Sequence, residues 1–190
     1  MSNSRFLSRC DAQSYVRSSG FSRVLEVGAG FKPWDTSTVL VDAIDIHERV
    51  GDREFHRVDL DQITCLPFPD QSFQFITCVH CLEHLSDPIF WIKEFSRLAP
   101  EGYIEVPCRL EDNLTSYMYG DPYGHKWWFI WNTLHSRLDI SYRMRVTSNI
   151  SLDQFKKEDW LYFDESIFRI GVLWRTELDY SFQQNTNLIL

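Results

Sequence analysis

Short apolar runs, broken by glycine, proline and charged residues, mark most of this chain. Val24, Leu25 and Val27 read as a short buried strand, and Val39, Leu40 and Val41 form the core of a second over Thr38–Asp42. A third strand is predicted over Glu54–Val58 and a fourth, buried, over Phe73–Val79. Ile89, Phe90, Ile92, Phe95 and Leu98 then recur at helical spacing. Asp87 stands at the N-cap of that helix, Pro88 at its first position, and Arg97 in its last turn suits the dipole. Pro100 and Gly102 stop it, and Tyr103–Pro107 is the fifth strand. Residues 1–20 read as a lead-in helix with Phe6, Leu7, Cys10, Tyr15 and Val16 on its apolar side and Gly20 as its end. Asn132–Arg137 reads as a helical turn, Ile167–Arg175 as a late strand and Ser181–Leu190 as another.

The first connection is unusual. Only seven residues, Phe31 to Ser37, separate Gly30 from the strand beginning near Thr38. A parallel crossover normally needs a dozen or more residues, usually a helix, and Pro33 discourages one here. A loop is therefore predicted. Gly28 and Gly30 open it, and glycine permits a positive φ and close approach of a ligand to the backbone. A strand running into such a loop is how open α/β sheets meet nucleotide-like ligands. The third glycine of the dinucleotide fingerprint is missing, because Pro33 holds its place. Glu26 lies two residues before Gly28, and Asp42 closes the next strand. Two carboxylates flanking a glycine loop suit a ligand with a cationic end and a ribose, and S-adenosylmethionine has both.

Val24–Gly30 resembles the first motif of the class I methyltransferases. Leu66-Pro67-Phe68-Pro69-Asp70-Gln71-Ser72-Phe73 resembles a second family segment, Leu-Pro-Phe-x-Asp-x-Ser-Phe-Asp, with Gln74 in place of the final Asp. Glu94–Gly102 resembles a third, which ends in Pro-Gly-Gly, with Glu101 replacing one glycine. The three occur in family order between Val24 and Pro107. The resemblance implies an α/β, doubly wound, mostly parallel Rossmann-like sheet with a terminal antiparallel hairpin. The shortened first crossover departs from the family. One domain over 1–190 is expected, with an aromatic-rich acceptor-side insertion at 108–165.

The resemblance also implies roles. Glu26 would meet the methionine end of S-adenosylmethionine, while Gly28, Ala29 and Gly30 let the backbone approach it. Asp42 would hold the ribose, with Asp45 as rival. Asp59 and Leu60 would define the adenine site; the plainer reading of Asp59 is a turn cap. Phe31, Lys32 and Trp34 are candidates to cover the methionine end in place of the missing helix, or Trp34 simply packs on the sheet. His80 and His84 fall beside the transferable methyl group and are the candidate general bases. Against that, Glu83 and His84 commonly fix this loop by hydrogen bonds. Gly124–Trp131 lies where the family builds its acceptor pocket. Tyr117, Tyr119, Tyr123 and Trp128 are possible lining residues, and His125 and Trp127 are the substrate-binding candidates. Core packing is the competing reading for the aromatics.

Composition narrows the partners. The net charge of −8 argues against nucleic acid and anionic membranes as partners, because no cationic excess exists to release counterions. A small neutral or cationic acceptor is expected instead. No apolar run approaches a membrane span, and no export signal is legible. Five cysteines without a disulfide framework fit a reduced, cytoplasmic protein. Cys78, His80, Cys81 and His84 lack the paired spacing of a zinc knuckle, so no metal is expected. The function expected is S-adenosylmethionine-dependent methyl transfer to a small molecule. The alternative is a non-catalytic binding or scaffold protein that keeps the fold. A nicotinamide oxidoreductase fits worse, since Asp42 arrives only fourteen positions after Gly28. Oligomeric state is not legible.

Overall fold

The computed structural model describes residues 4–109, 124–143 and 169–183. Tyr117, Tyr119, Tyr123, most of the 108–165 segment and most of Ser181–Leu190 lie outside the described residues. Among the described residues, ten strands and three α-helices follow one another as β1 (Ser4–Phe6), α1 (Arg9–Ser19), β2 (Val24–Val27), β3 (Val39–Asp42), α2 (His47–Val50), β4 (Glu54–Arg57), β5 (Phe75–Val79), α3 (Pro88–Leu98), β6 (Glu101–Pro107), β7 (Trp127–Asn132), β8 (Arg137–Tyr142), β9 (Arg169–Arg175) and β10 (Tyr180–Gln183).

Seven strands form the main sheet in the order β1-β9-β6-β5-β2-β3-β4. From β6 to β4 every pairing is parallel, and β9 runs antiparallel to both β6 and β1. This is the α/β, mostly parallel architecture expected. No helix bridges β2 and β3, so the crossover is the predicted loop. Side chains of β2 alternate between two cores, because successive residues of a strand face opposite sides. Leu25 and Val27 join Ile76, Cys78, Ile104 and the α3 residues Trp91, Ile92, Phe95 and Leu98. Val24 joins Ala12 and Val16 of α1, with Trp34, Phe75 and Tyr103. Ser8 and Asp87 cap α1 and α3 through the N–H groups of Asp11 and Phe90. Gln74, standing where the family motif has Asp, accepts N–H groups of Ser22 and Arg23 at 2.7 and 3.0 Å and so ties α1's exit to β5.

Three expectations need correction. The lead-in helix is confined to α1, because Ser4–Phe6 is drawn out as a strand on the open edge of β9. Asn132–Arg137 is not helical: it is the turn of the β7–β8 hairpin, with Ser136 at φ +48°. The terminal strands do not form a hairpin with each other. β9 has β6 on one side and β1 on the other, so no edge is left for β10. The chain turns at Thr176, and β10 pairs in parallel with β8 in a separate three-stranded sheet, β10-β8-β7.

Candidate active site

β2 and β5 are neighbours from which the chain departs to opposite sides, through β3 and β4 on one and β6 on the other. Ligands of open α/β sheets bind at the carboxyl ends of strands at such a switch point. Here that place is flanked by the Gly28–Gly30 loop after β2 and the His80–Leu85 turn after β5. Gly28 has φ +70°, and a Cβ added to it would lie 2.5 Å from Cys81 Cβ. The missing side chain at Gly28 thus admits Cys81. Gly30, at φ +57°, has nothing within 4 Å of the equivalent point, so its face is open.

Both predicted acids hold the loop. Glu26 Oε2 accepts the Trp34 N–H at 2.8 Å, and Asp42 Oδ2 accepts the Gly30 N–H at 2.7 Å. Gly28 and Ala29 donate to the Val41 carbonyl at 2.9 and 3.3 Å. Glu26 is only 3% exposed, and its burial pushes the carboxyl up to about 7 against the lowering pull of Ser37 and the Trp34 N–H. Trp34 is itself buried against Tyr103, with ring centroids 5.6 Å apart, whereas Phe31 is exposed under the Arg49 guanidinium. Asp42 Oδ1 accepts the Ile44 N–H at 2.9 Å. Asp45 stands past the strand end, where its side chain accepts the His47 N–H at 3.1 Å.

Asp59 and Leu60 divide. Asp59 is exposed and caps a short 3-10 turn by accepting the Asp61 N–H at 3.0 Å. Leu60 is buried in the main core with Leu66 and Phe68.

His80 sits in the left-handed region at φ +50°. Its Nε2 lies 3.2 Å from Glu105 Oε1 and its Nδ1 3.4 Å from Glu83 Oε1. Burial alone would lower its pKa, but the two carboxylates hold it up at about 9. Glu105 also accepts hydrogen bonds from Arg9 and from the Tyr103 hydroxyl, the latter at 2.9 Å. Burial alone would raise that carboxyl, yet His80 and Arg9 bring it down to about 2. His84 is half-exposed at the next turn, its ring 4.7 Å from that of His125. Lys126 donates its backbone N–H to the Glu83 carbonyl at 2.8 Å and its ammonium to Asp61 at 2.9 Å. Trp127 donates its indole N–H to the Leu85 carbonyl at 2.7 Å and packs edge-on to Tyr142. The two aromatic-segment candidates are therefore brought against the 80–85 turn, with Trp127 anchoring β7 there. Of the cysteine–histidine group read from sequence, Cys78 is fully buried, and the neighbouring Cys81 and burial push its thiol well up.

Sequence reading missed Arg9 and Glu105 as parts of this region. A carboxylate inside the apolar run Tyr103–Pro107 was the available signal, since a buried charge needs partners.

Comparison with known proteins bears on the same region. Residues 5–140 match a family profile described as "Methyltransferase domain". A Schizosaccharomyces pombe protein named as an uncharacterized methyltransferase is 37% identical over 67 residues, which is 35% of this chain and 23% of that protein. The chain thus spans under a quarter of that relative's length. Among solved structures, the Haloferax volcanii complex of the Trm112 methyltransferase activator with a proposed methyltransferase aligns over 90% of this chain and 92% of its own, at TM-score 0.52 and 13% identity. An S-adenosylmethionine-dependent methyltransferase from Mesorhizobium loti aligns over 53% of this chain and 55% of its own, at TM-score 0.42 and 16% identity.

Proposed function

From the premise that this chain belongs to the methyltransferase-domain family, we propose that it is an S-adenosylmethionine-dependent methyltransferase of class I and that it methylates a small molecule held against the 80–85 turn. One observation carries the placement: the tips of adjacent strands β2 and β3 each bear a carboxylate that accepts an N–H of the intervening glycine loop. That frame leaves Gly30 open to a ligand and leaves each Asp42 oxygen a further lone pair for ribose hydroxyls. Glu26 would face the ammonium of the methionine end from beneath the Trp34 loop. Asp59, exposed at the end of the β4 connection, would meet the adenine amino group. Methyl transfer from a sulfonium is an in-line displacement, so positioning and exclusion of water are the main contributions required of the protein.

His80 is turned between two carboxylates and serves to hold the turn. His84 and His125 would face an acceptor from the 80–85 turn and the strand leading to β7, with Trp127 fixing the strand behind them. The net charge of −8 favours a neutral or cationic acceptor. Among the described residues, no helix is long and apolar enough to cross a membrane.

The test is calorimetric titration with S-adenosylhomocysteine. Expected is one site per chain, weakened roughly tenfold or more in Asp42→Asn, which removes a charge and an acceptor from the ribose. A folded protein that binds none of the ligand would overturn the reading. The helix-free crossover favours one rival, a protein that binds the cofactor without turning it over. Transfer of label from S-adenosylmethionine to any member of a metabolite panel excludes that rival.

A further inference from the structure

We propose that Glu83, His84 and His125 form a site for a divalent transition-metal ion, with zinc as the fitting probe. One oxygen of Glu83 and one ring nitrogen from each histidine lie within 4.8 Å of one another, and this is the metal-competent group found among the described residues. Metal–ligand bonds of about 2.0–2.2 Å place the donors of a tetrahedral zinc site roughly 3–4 Å apart, so small side-chain rotations close the set.

Glu83 supplies a second and independent observation. It is 0% exposed, and among the described residues neither carboxylate oxygen has a hydrogen-bond donor. The nearest counter-group, His80 Nδ1, stands off at 3.4 Å from Oε1. That imidazole is shared with Glu105, and neither Glu83 oxygen is hydrogen-bonded, so a further cation would offset the cost of burying this carboxylate. The two histidines converge on the same oxygen region from different elements. His84 follows Glu83 on its turn, with Nε2 4.0 Å from Glu83 Oε1, and its backbone N–H donates to Cys81 at 3.0 Å. His125 enters from the strand leading to β7, and its ring meets that of His84 at 4.7 Å and 68°. Main-chain contacts fix both sides: Lys126 N–H to the Glu83 carbonyl, Trp127 indole N–H to the Leu85 carbonyl, and Arg143 to the His125 carbonyl at 3.2 Å. The backbone thus places three donors within reach of one ion.

Two imidazoles and one carboxylate are the ligand set of catalytic zinc and of non-haem iron, and such sites keep open positions. Magnesium and calcium prefer all-oxygen shells. This deepens the proposed function and, for its role, rests on it: His84 acts as a ligand, and the acceptor is an oxygen nucleophile. A hydroxyl bound in the open position releases its proton to water near neutral pH. Its oxygen–carbon bond to the methyl group forms as the sulfur–carbon bond breaks, and the sulfonium leaves as a neutral thioether.

The test uses the whole chain, stripped with chelator and titrated with zinc by calorimetry and with cobalt(II) by visible absorption. Expected is one ion per chain, with ligand-field bands but no sulfur-to-cobalt charge-transfer band, which separates this site from the five cysteines. His84→Ala and His125→Ala should each weaken binding by at least roughly tenfold, and Glu83→Gln likewise, while His135→Ala on the exposed hairpin turn should not. Circular dichroism of each variant reports folding. Should Glu83→Gln unfold, the histidine variants and the stoichiometry of the unaltered chain still decide. Absence of one-to-one binding to the folded, unaltered chain overturns the site, as does binding unchanged in the His84→Ala, His125→Ala double variant. S-adenosylhomocysteine titrated into the metal-free protein tests the cofactor reading separately, so the two can fail independently.

Discussion

Glu26 shows how one side chain can tie stability to pH. Its carboxyl ionises near 7 in the folded protein and near 4.5 when exposed. Between those values the native state holds a proton that the unfolded chain has lost, so stability falls as pH rises from 4.5 through 7 and levels above it. The effect is about 3 kcal/mol. Glu26→Gln stays neutral at every pH and should lack that slope. Denaturant unfolding of both proteins at pH 5 and pH 8 reads the difference, and subtraction removes the other titrating groups, His80 among them. Equal slopes would mean that Glu26 is ionised in place. The position of this acid beside Gly28 was legible from sequence, but its burial was not. It goes with the loop that replaces the crossover helix, whose Trp34 main-chain N–H reaches the Glu26 carboxylate.

The contact between the β2 loop and the turn after β5 belongs to the scale of elements. Gly28→Ala places a Cβ at φ +70° and against Cys81. The backbone conformation alone costs about 1–2 kcal/mol, and the clash adds to it. Cys81→Gly should remove the clash and return part of the loss, so the two substitutions should be non-additive in a thermal-unfolding cycle. Simple additivity would show that the elements yield instead. Elements with a local cause were readable: α3 from its apolar spacing, cap and proline, and the loop crossover from its length and Pro33. What failed was non-local. Whether β10 joins β9 depends on whether β1 already occupies that edge, and no property of Ser181 or Phe182 carries that information. Leu60 has the same difficulty, since its turn after β4 can present it to a ligand or to the core, and Leu66 and Phe68 claim it.

At the scale of the molecule, Glu105 joins three parts of the chain. Arg9 of α1, Tyr103 of β6 and His80 after β5 all donate to or pair with it. The unusual residue in its strand could be seen in the sequence, whereas its partners could not, because they arrive from far along the chain. Glu105→Gln should cost about 2–3 kcal/mol, less than a fully buried pair, since Arg9 is 35% exposed. The same carboxylate, held at about 2, adds stability that is present above 4.5 and lost as pH falls through 2. Chemical denaturation of the variant at pH 7 and pH 3 checks both statements, and a variant as stable as the unaltered protein at pH 7 would refute the first. The antiparallel flank of the main sheet has a further consequence, for biosynthesis. β1 is translated early, and its partner β9 only after residue 168. Until β9 emerges from the ribosome, β6 has a row of unpaired N–H and C=O groups beside an already assembled parallel half. A nascent chain paused before that point carries an open strand edge, the feature through which polypeptides recruit one another into aggregates.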